Sequence, residues 1–159
     1  MPLSDSFIAT WQPRVLALLR IAAAFLFMAH GLQKILGFPV PRASETVLLS
    51  LSGIAGLMEL VGGALLLVGL FTRSVAFLLS GLMAVAYFYA HAPQGFWPLL
   101  NRGELAALYS FVFLYFVFAG PGAWSVDGMF RKQWLAKHEP LGGNYIGEAS
   151  GGHARKTMP

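Results

Sequence analysis

The chain has 159 residues, of which 57% are hydrophobic and only 11% charged, with a mean hydropathy of +0.64; soluble domains run at about 45–50% apolar and about 25% charged. This excludes an ordinary water-soluble globule and leaves one compact unit of a few membrane-spanning helices with short tails. The absence of cysteine excludes a disulfide framework, a thiol nucleophile, a CxxC pair and a cysteine-ligated cluster, and the basic residues behind the net charge of +4 flank apolar runs, which fits topology and lipid attraction and not nucleic-acid binding.

The first apolar run, "VLALLRIAAAFLFMAHGLQKIL" over 15–36, matches the ~20 residues needed to cross about 30 Å of hydrocarbon. It is longer than the apolar core of a cleavable signal and carries His30 and Lys34 near its far end, so it is read as a retained helix in a chain that starts near Met1. "GFPVPRASE" ends it, because two prolines and a glycine cannot continue a helix, and Ser44 is a candidate N-cap for the second helix. The pattern predicts a second span over 47–71, a tight turn at "FTRS", and a third span over 75–90 that stops at His91 and Pro93. The loop "HAPQGFWPLLNRGE" leads to a fourth span over 105–119, which "GPG" terminates.

The expected fold class is therefore an all-α membrane protein, four transmembrane helices in an antiparallel bundle plus a short cytoplasmic amphipathic helix. Residues 1–13 form an N-terminal cytoplasmic segment, 14–122 the transmembrane domain, 123–138 the interfacial helix and 139–159 a flexible tail that includes His153. In the interfacial helix Val126, Met129, Phe130 and Trp134 share one face, opposite Arg131, Lys132 and Lys137. With four spans, Arg14, Arg20, Arg73, Arg131, Lys132, Lys137, Arg155 and Lys156 fall on one side and Lys34, Arg42 and Arg102 on the other, eight of the eleven basic residues against three. Lys and Arg concentrate on the cytoplasmic side, so both termini are expected there, in a bacterial inner membrane.

Polar residues recur on particular helix faces. Arg20, Phe27 and Lys34 lie seven apart, with His30 and Gly31 beside them; Ser52, Gly56, Glu59 and Gly63 succeed one another at spacings of four, three and four. Ser80, Ala84, Tyr87 and His91 make a third stripe, and Glu104, Leu108, Phe111 and Tyr115 a fourth. Alternating span direction then brings His30, Lys34, His91, Asn101 and Glu104 together on the non-cytoplasmic side, with Glu59 deeper. A charge at mid-bilayer costs about 2.5–3.5 kcal/mol on insertion scales, so Glu59 demands a partner, a proton or a wet pocket. Two readings stand: a structural ion-pair network that locks the helices, and a functional polar pocket. Arg20 is read as structural, close enough to the cytoplasmic end to snorkel.

The blocks "RIAAAFLFMAHGLQKILG", "MELVGGALLLVGLFTR", "HAPQGFWPLLNRGELAALY" and "GPGAWSVD", in this order, resemble the DoxX family over about 16–127. That resemblance implies a small bacterial four-helix membrane protein associated with quinol oxidation and electron transfer to quinone. A quinone headgroup would take hydrogen bonds from groups such as His30, Glu59 or Glu104, with Tyr87 and Trp97 as further candidate contacts. Phe88, Tyr89, Phe96 and Trp97 would either wall that pocket or form the interfacial aromatic belt. The expected partners are the lipid bilayer, a redox partner protein and further copies of the chain; no metal site is expected, and a bis-His haem on His30 and His91 ranks last among the cofactor readings. Two other function classes remain beside the redox subunit, a scaffold or assembly factor without catalysis and a small-molecule or proton-linked transporter.

Single cysteines placed in the native cysteine-free chain near the N-terminus and in the loop around Arg102 test the orientation. In intact cells a membrane-impermeant maleimide labels the loop position and leaves the N-terminal one unlabelled; the reverse pattern would invert the assigned sides.

Overall fold

The structure is a computed structural model and describes residues 4–41 and 47–138. Ser44, Arg42 and the 139–159 tail with His153, Arg155 and Lys156 lie outside the described residues. All regular structure among the described residues is helical: α1 Asp5–Leu36, α2 Leu51–Val68, α3 Thr72–Ala86, α4 Pro98–Asn101, α5 Glu104–Ala119 and α6 Val126–His138. Beyond Ala86, α3 continues through a π-helical turn, Tyr87–His91, and a 3₁₀ turn, Ala92–Gln94. Among the described residues three stretches are long and apolar enough to cross a membrane, Asp5–Leu36, Leu51–Val68 and Thr72–Gln94. The fourth apolar helix, α5, has 16 residues, a rise of about 24 Å against about 48 Å for α1.

Local chemistry sets these ends. The Ser4 hydroxyl accepts from Phe7 N at 3.3 Å to open α1, and Gly37, at φ 63°, closes it with a left-handed turn that few other residues adopt without strain. Ser50 Oγ accepts from Gly53 N at 3.1 Å and caps α2. The start of α3 has no local cap; Asp127, from the first turn of α6, receives Phe71 N and Thr72 N, one on each carboxylate oxygen, both at 2.8 Å. An anion at a helix N-terminus is favourable both as acceptor and against the helix dipole.

In packing, α1 lies chiefly on α2 and α3 chiefly on α5, with α2 against α3 joining the pairs. Backbone contact made possible by missing side chains forms the α1/α2 seam. A Cβ on Gly31 would stand 2.4 Å from Leu60 N and 2.7 Å from Gly56 O, and one on Gly63 would stand 2.8 Å from Met28 Cβ. The centre is aromatic: buried Phe27 meets Phe113 edge-on at 4.8 Å and Tyr109 at 5.2 Å, with Phe116, Leu66 and Leu79 around them. Ser80 Oγ donates to Ser110 O at 2.8 Å and Ser110 Oγ to Ser80 O at 3.2 Å, which ties α3 to α5.

One end of the bundle carries α6 with the start of α1, the end of α2, the start of α3 and the end of α5; we call it the α6 end. It is fastened by Arg20, which does not snorkel to a water surface, as expected from its position, but is fully buried. Its guanidinium donates to Leu66 O, to Leu67 O at 2.8 Å, to Pro121 O at 2.9 Å and to Trp124 O at 3.0 Å. The first two are carbonyls in the last turn of α2, where Leu66 O also accepts from the capping Gly69 N at 3.1 Å. Arg73 does the same for α5, with Nη1 donating to Val117 O at 2.6 Å and Phe118 O at 2.9 Å.

The glycine seam yields a contrast between two otherwise equal substitutions. Gly31→Ala forces a methyl into the α2 backbone and should destabilise the protein by about 2–3 kcal/mol, whereas Gly81→Ala enters open space and should gain up to about 1 kcal/mol of helix propensity. Thermal unfolding of both variants in the same detergent gives the comparison, and equal midpoints would show that the seam is not tightly packed.

Candidate functional site

Of the residues expected to converge, the structure brings Lys34 and Glu59 together. Lys34 Nζ lies 2.5 Å from Glu59 Oε1, with the Lys34 side chain 28% exposed and that of Glu59 4%. The glycines of the seam create this pair. Gly56, one turn before Glu59, leaves room for the Lys34 stem, whose Cβ would be 2.8 Å from a Cβ placed there. Lys34 crosses the α2 face over Gly56 and reaches the carboxylate from its open side. Glu59 Oε2 is buried and has no hydrogen-bond partner among the described residues, so half of this carboxylate can hold a proton or accept a bond from an incoming donor.

The remaining polar candidates form other structures. His91 Nδ1 is 3.0 Å from Asn101 O, a contact that needs the proton on Nδ1. Asn101 is buried, donates through Nδ2 to Gly95 O at 2.8 Å, and receives Gly103 N on Oδ1 at 2.8 Å. Gly103 is buried against Tyr87, His91 and Asn101, each of which would be 2.8 Å from an added Cβ. These residues close the connection between α3 and α5. His30 and Glu104 are exposed and make no hydrogen bond or ion pair with a described residue. The α5 stripe of Leu108, Phe111 and Tyr115 that carries Glu104 faces outward, while Ala106, Tyr109, Phe113 and Phe116 are buried. Phe88, Tyr89, Phe96 and Trp97 are all exposed, Phe96 and Trp97 in an edge-on pair at 5.2 Å. Among the described residues, no three of His, Asp and Glu gather to hold a metal ion.

A sequence model of the DoxX family matches residues 15–92, the stretch that supplies α1, α2, α3 and the Lys34–Glu59 pair. An uncharacterized protein of Haemophilus influenzae is 47% identical over 132 residues, 77% of this chain and 96% of the relative. The chain belongs to the DoxX family. The inner membrane protein YqjF of Escherichia coli is 30% identical to this DoxX chain over 124 residues, 72% of this chain and 91% of the relative. An uncharacterized membrane protein of Mycobacterium tuberculosis is 28% identical over 147 residues, 80% of this chain and 88% of the relative. No solved structure matches.

Sequence reasoning singled out both members of the ion pair and missed the contribution of Asp127 and Arg73 to the opposite end. The available signal for Asp127 was its place just after the "GPG" break, where a carboxylate has no membrane to avoid and a neighbouring helix start to cap.

The pair is expected to behave as a coupled unit. Lys34→Met strands a buried carboxylate and should cost about 3 kcal/mol; Glu59→Gln keeps an acceptor and leaves a lysine able to extend towards water, at about 1 kcal/mol. The double variant should cost less than the sum by about 1 kcal/mol or more. Denaturation of the three variants measures this coupling, and strict additivity would dissolve the pair.

Proposed function

We propose that this DoxX-family protein is a redox-associated membrane subunit in which Lys34 and Glu59 form a proton-holding site for a quinone headgroup. The observation that carries the reading is the buried carboxylate with one free oxygen, Glu59 Oε2, beside a lysine that is partly open to the outside of the bundle. A quinone supplies two-electron, two-proton redox chemistry when bound. Lys34 Nζ would donate to a headgroup oxygen, and Glu59 would take or give a proton at Oε2. His30, one helical turn before Lys34 and exposed, stands on the route by which a proton would reach the pair from the interface.

In this reading the bundle has four spans, with α5 as the shortest, both termini in the cytoplasm and α6 lying on that interface. The basic-residue count and the similarity to an inner membrane protein support it. The exposed Met129, Phe130 and Trp134 of α6 suit contact with lipid. A second reading, a scaffold whose ion pair only locks helices, is favoured by the backbone-close seam around the pair at Gly31 and Gly56.

Binding of a short-chain benzoquinone to the purified full chain separates the two. For the redox site, Lys34→Met and Glu59→Gln should each weaken binding about tenfold, the equivalent of one lost hydrogen bond to a charged group. Glu59→Gln should keep its fold, and the wild-type carboxyl band should shift in the infrared on quinone addition. A protein that takes no quinone, or variants that bind it equally, would leave the lock as the function of the pair.

A further inference from the structure

The described cavity is at the other end of the molecule from the ion pair. About 700 Å³ in volume, it lies between α6 and the ends of α1, α3 and α5, with Leu16 and Leu135 among its apolar walls. Three cationic side chains line it, Arg73, Arg131 and Lys132. One carboxylate, Asp127, lines it too, and both oxygens of that group already receive the Phe71 and Thr72 amides. Arg131 and Lys132 make no hydrogen bond or ion pair with a described residue. Arg73 spends Nη1 on Val117 O and Phe118 O, leaving the other face of its guanidinium fork.

A second, independent feature lies in the wall of the same cavity. Thr72, in the cavity wall, is fully buried, and its Oγ1 has no hydrogen-bond partner among the described residues. A buried hydroxyl left unpaired is costly, and such groups are few in folded proteins. Its one proton is free for an acceptor that reaches it through that wall.

An excess of unpaired cationic donors, a buried hydroxyl and an apolar wall at the depth of a membrane surface suit one chemistry. We propose that this cavity binds a phosphate group, with Arg131 and Lys132 supplying charge from α6, Arg73 a directed guanidinium donor, and Thr72 a hydroxyl donor at the inner wall. The phosphate belongs either to an anionic lipid, whose acyl chains would run along the apolar wall, or to a small soluble phosphate. α6 is built for this position. Residues Asp127, Gly128, Arg131, Lys132 and Leu135 turn towards the cavity, while Met129, Phe130 and Trp134 are exposed on the remaining surface, so the basic face covers the site and the apolar face is left for lipid.

The test uses the full chain in detergent with three probes: dioctanoyl phosphatidylglycerol, inorganic phosphate, and dioctanoylglycerol, which has the same tails without phosphate. Saturable stabilisation by the phospholipid assigns the lipid source, and the same response to inorganic phosphate assigns a soluble one. Either should weaken on the order of tenfold in the exposed double variant Arg131→Gln/Lys132→Gln. Thr72→Val keeps the side-chain shape and removes the orphan hydroxyl, so it should leave the ligand-free protein as stable or more so and yet bind phosphate several times more weakly. Equal binding of dioctanoylglycerol, no response to either phosphate probe, or unchanged affinity in Thr72→Val would overturn the proposal, the last by reducing the site to a basic surface.

Discussion

A guanidinium shut away from water stays only where every direction it points in offers an acceptor. Arg20 finds an acceptor for each of its three nitrogens among carbonyls drawn from two separated parts of the chain, the last turn of α2 and the 121–124 segment. Those carbonyls in turn gain a donor, since a helix end and an irregular turn both leave backbone oxygens short of partners. The need is mutual, so the segment after α5 cannot leave α1 without orphaning both sets of groups. This placement brings Gly122 against the α1 backbone near Pro13 and Ala17, allows the bond from Ala123 N to Pro13 O at 2.8 Å, and sets Asp127 over the α3 start.

The two ends of the bundle use opposite solutions to the same difficulty. At the α6 end, arginines neutralise backbone oxygens and no side-chain carboxylate approaches Arg20 closely enough to hydrogen-bond among the described residues. At the other, Lys34 and Glu59 neutralise each other and leave one carboxylate oxygen over. A clamp with every nitrogen engaged resists rearrangement; a pair with a spare acceptor has chemistry left to do. Between them lies the aromatic core of Phe27, Tyr109 and Phe113.

How far a feature was legible in the sequence depends on how strongly each residue constrains its own position. Helix type and order were legible because proline and glycine punctuate long apolar runs, and the first two faces were legible because glycines recur with Glu59 and Lys34 at helical spacing. The face of α5 was not. That helix is apolar almost all round, so Glu104 was its only charged landmark, and a charge at the mouth of a helix can point outward at little cost. His30 sits one turn from Lys34 but on the exposed flank of the stripe, a rotation that spacing alone does not resolve. The burial of Arg20 was hidden for another reason. Its partners are main-chain carbonyls, which every residue possesses and no sequence pattern marks.

The unequal helices carry a consequence for the membrane itself. A hydrocarbon layer of about 30 Å is crossed by α1 with length to spare and exceeds the rise of a 16-residue α5 by several ångströms. As a span, α5 would oblige the lipid beside it to thin, at a fraction of a kcal/mol per ångström, while lipid beside α1 stays relaxed. Deformation confined to one flank of a small protein makes that flank attractive to anything else that deforms the bilayer in the same sense, because two dents that merge cost less than two apart. The outward-facing Phe111, Tyr115 and Phe118 of α5 would then meet neighbours chosen by membrane elasticity before any side chain recognises another.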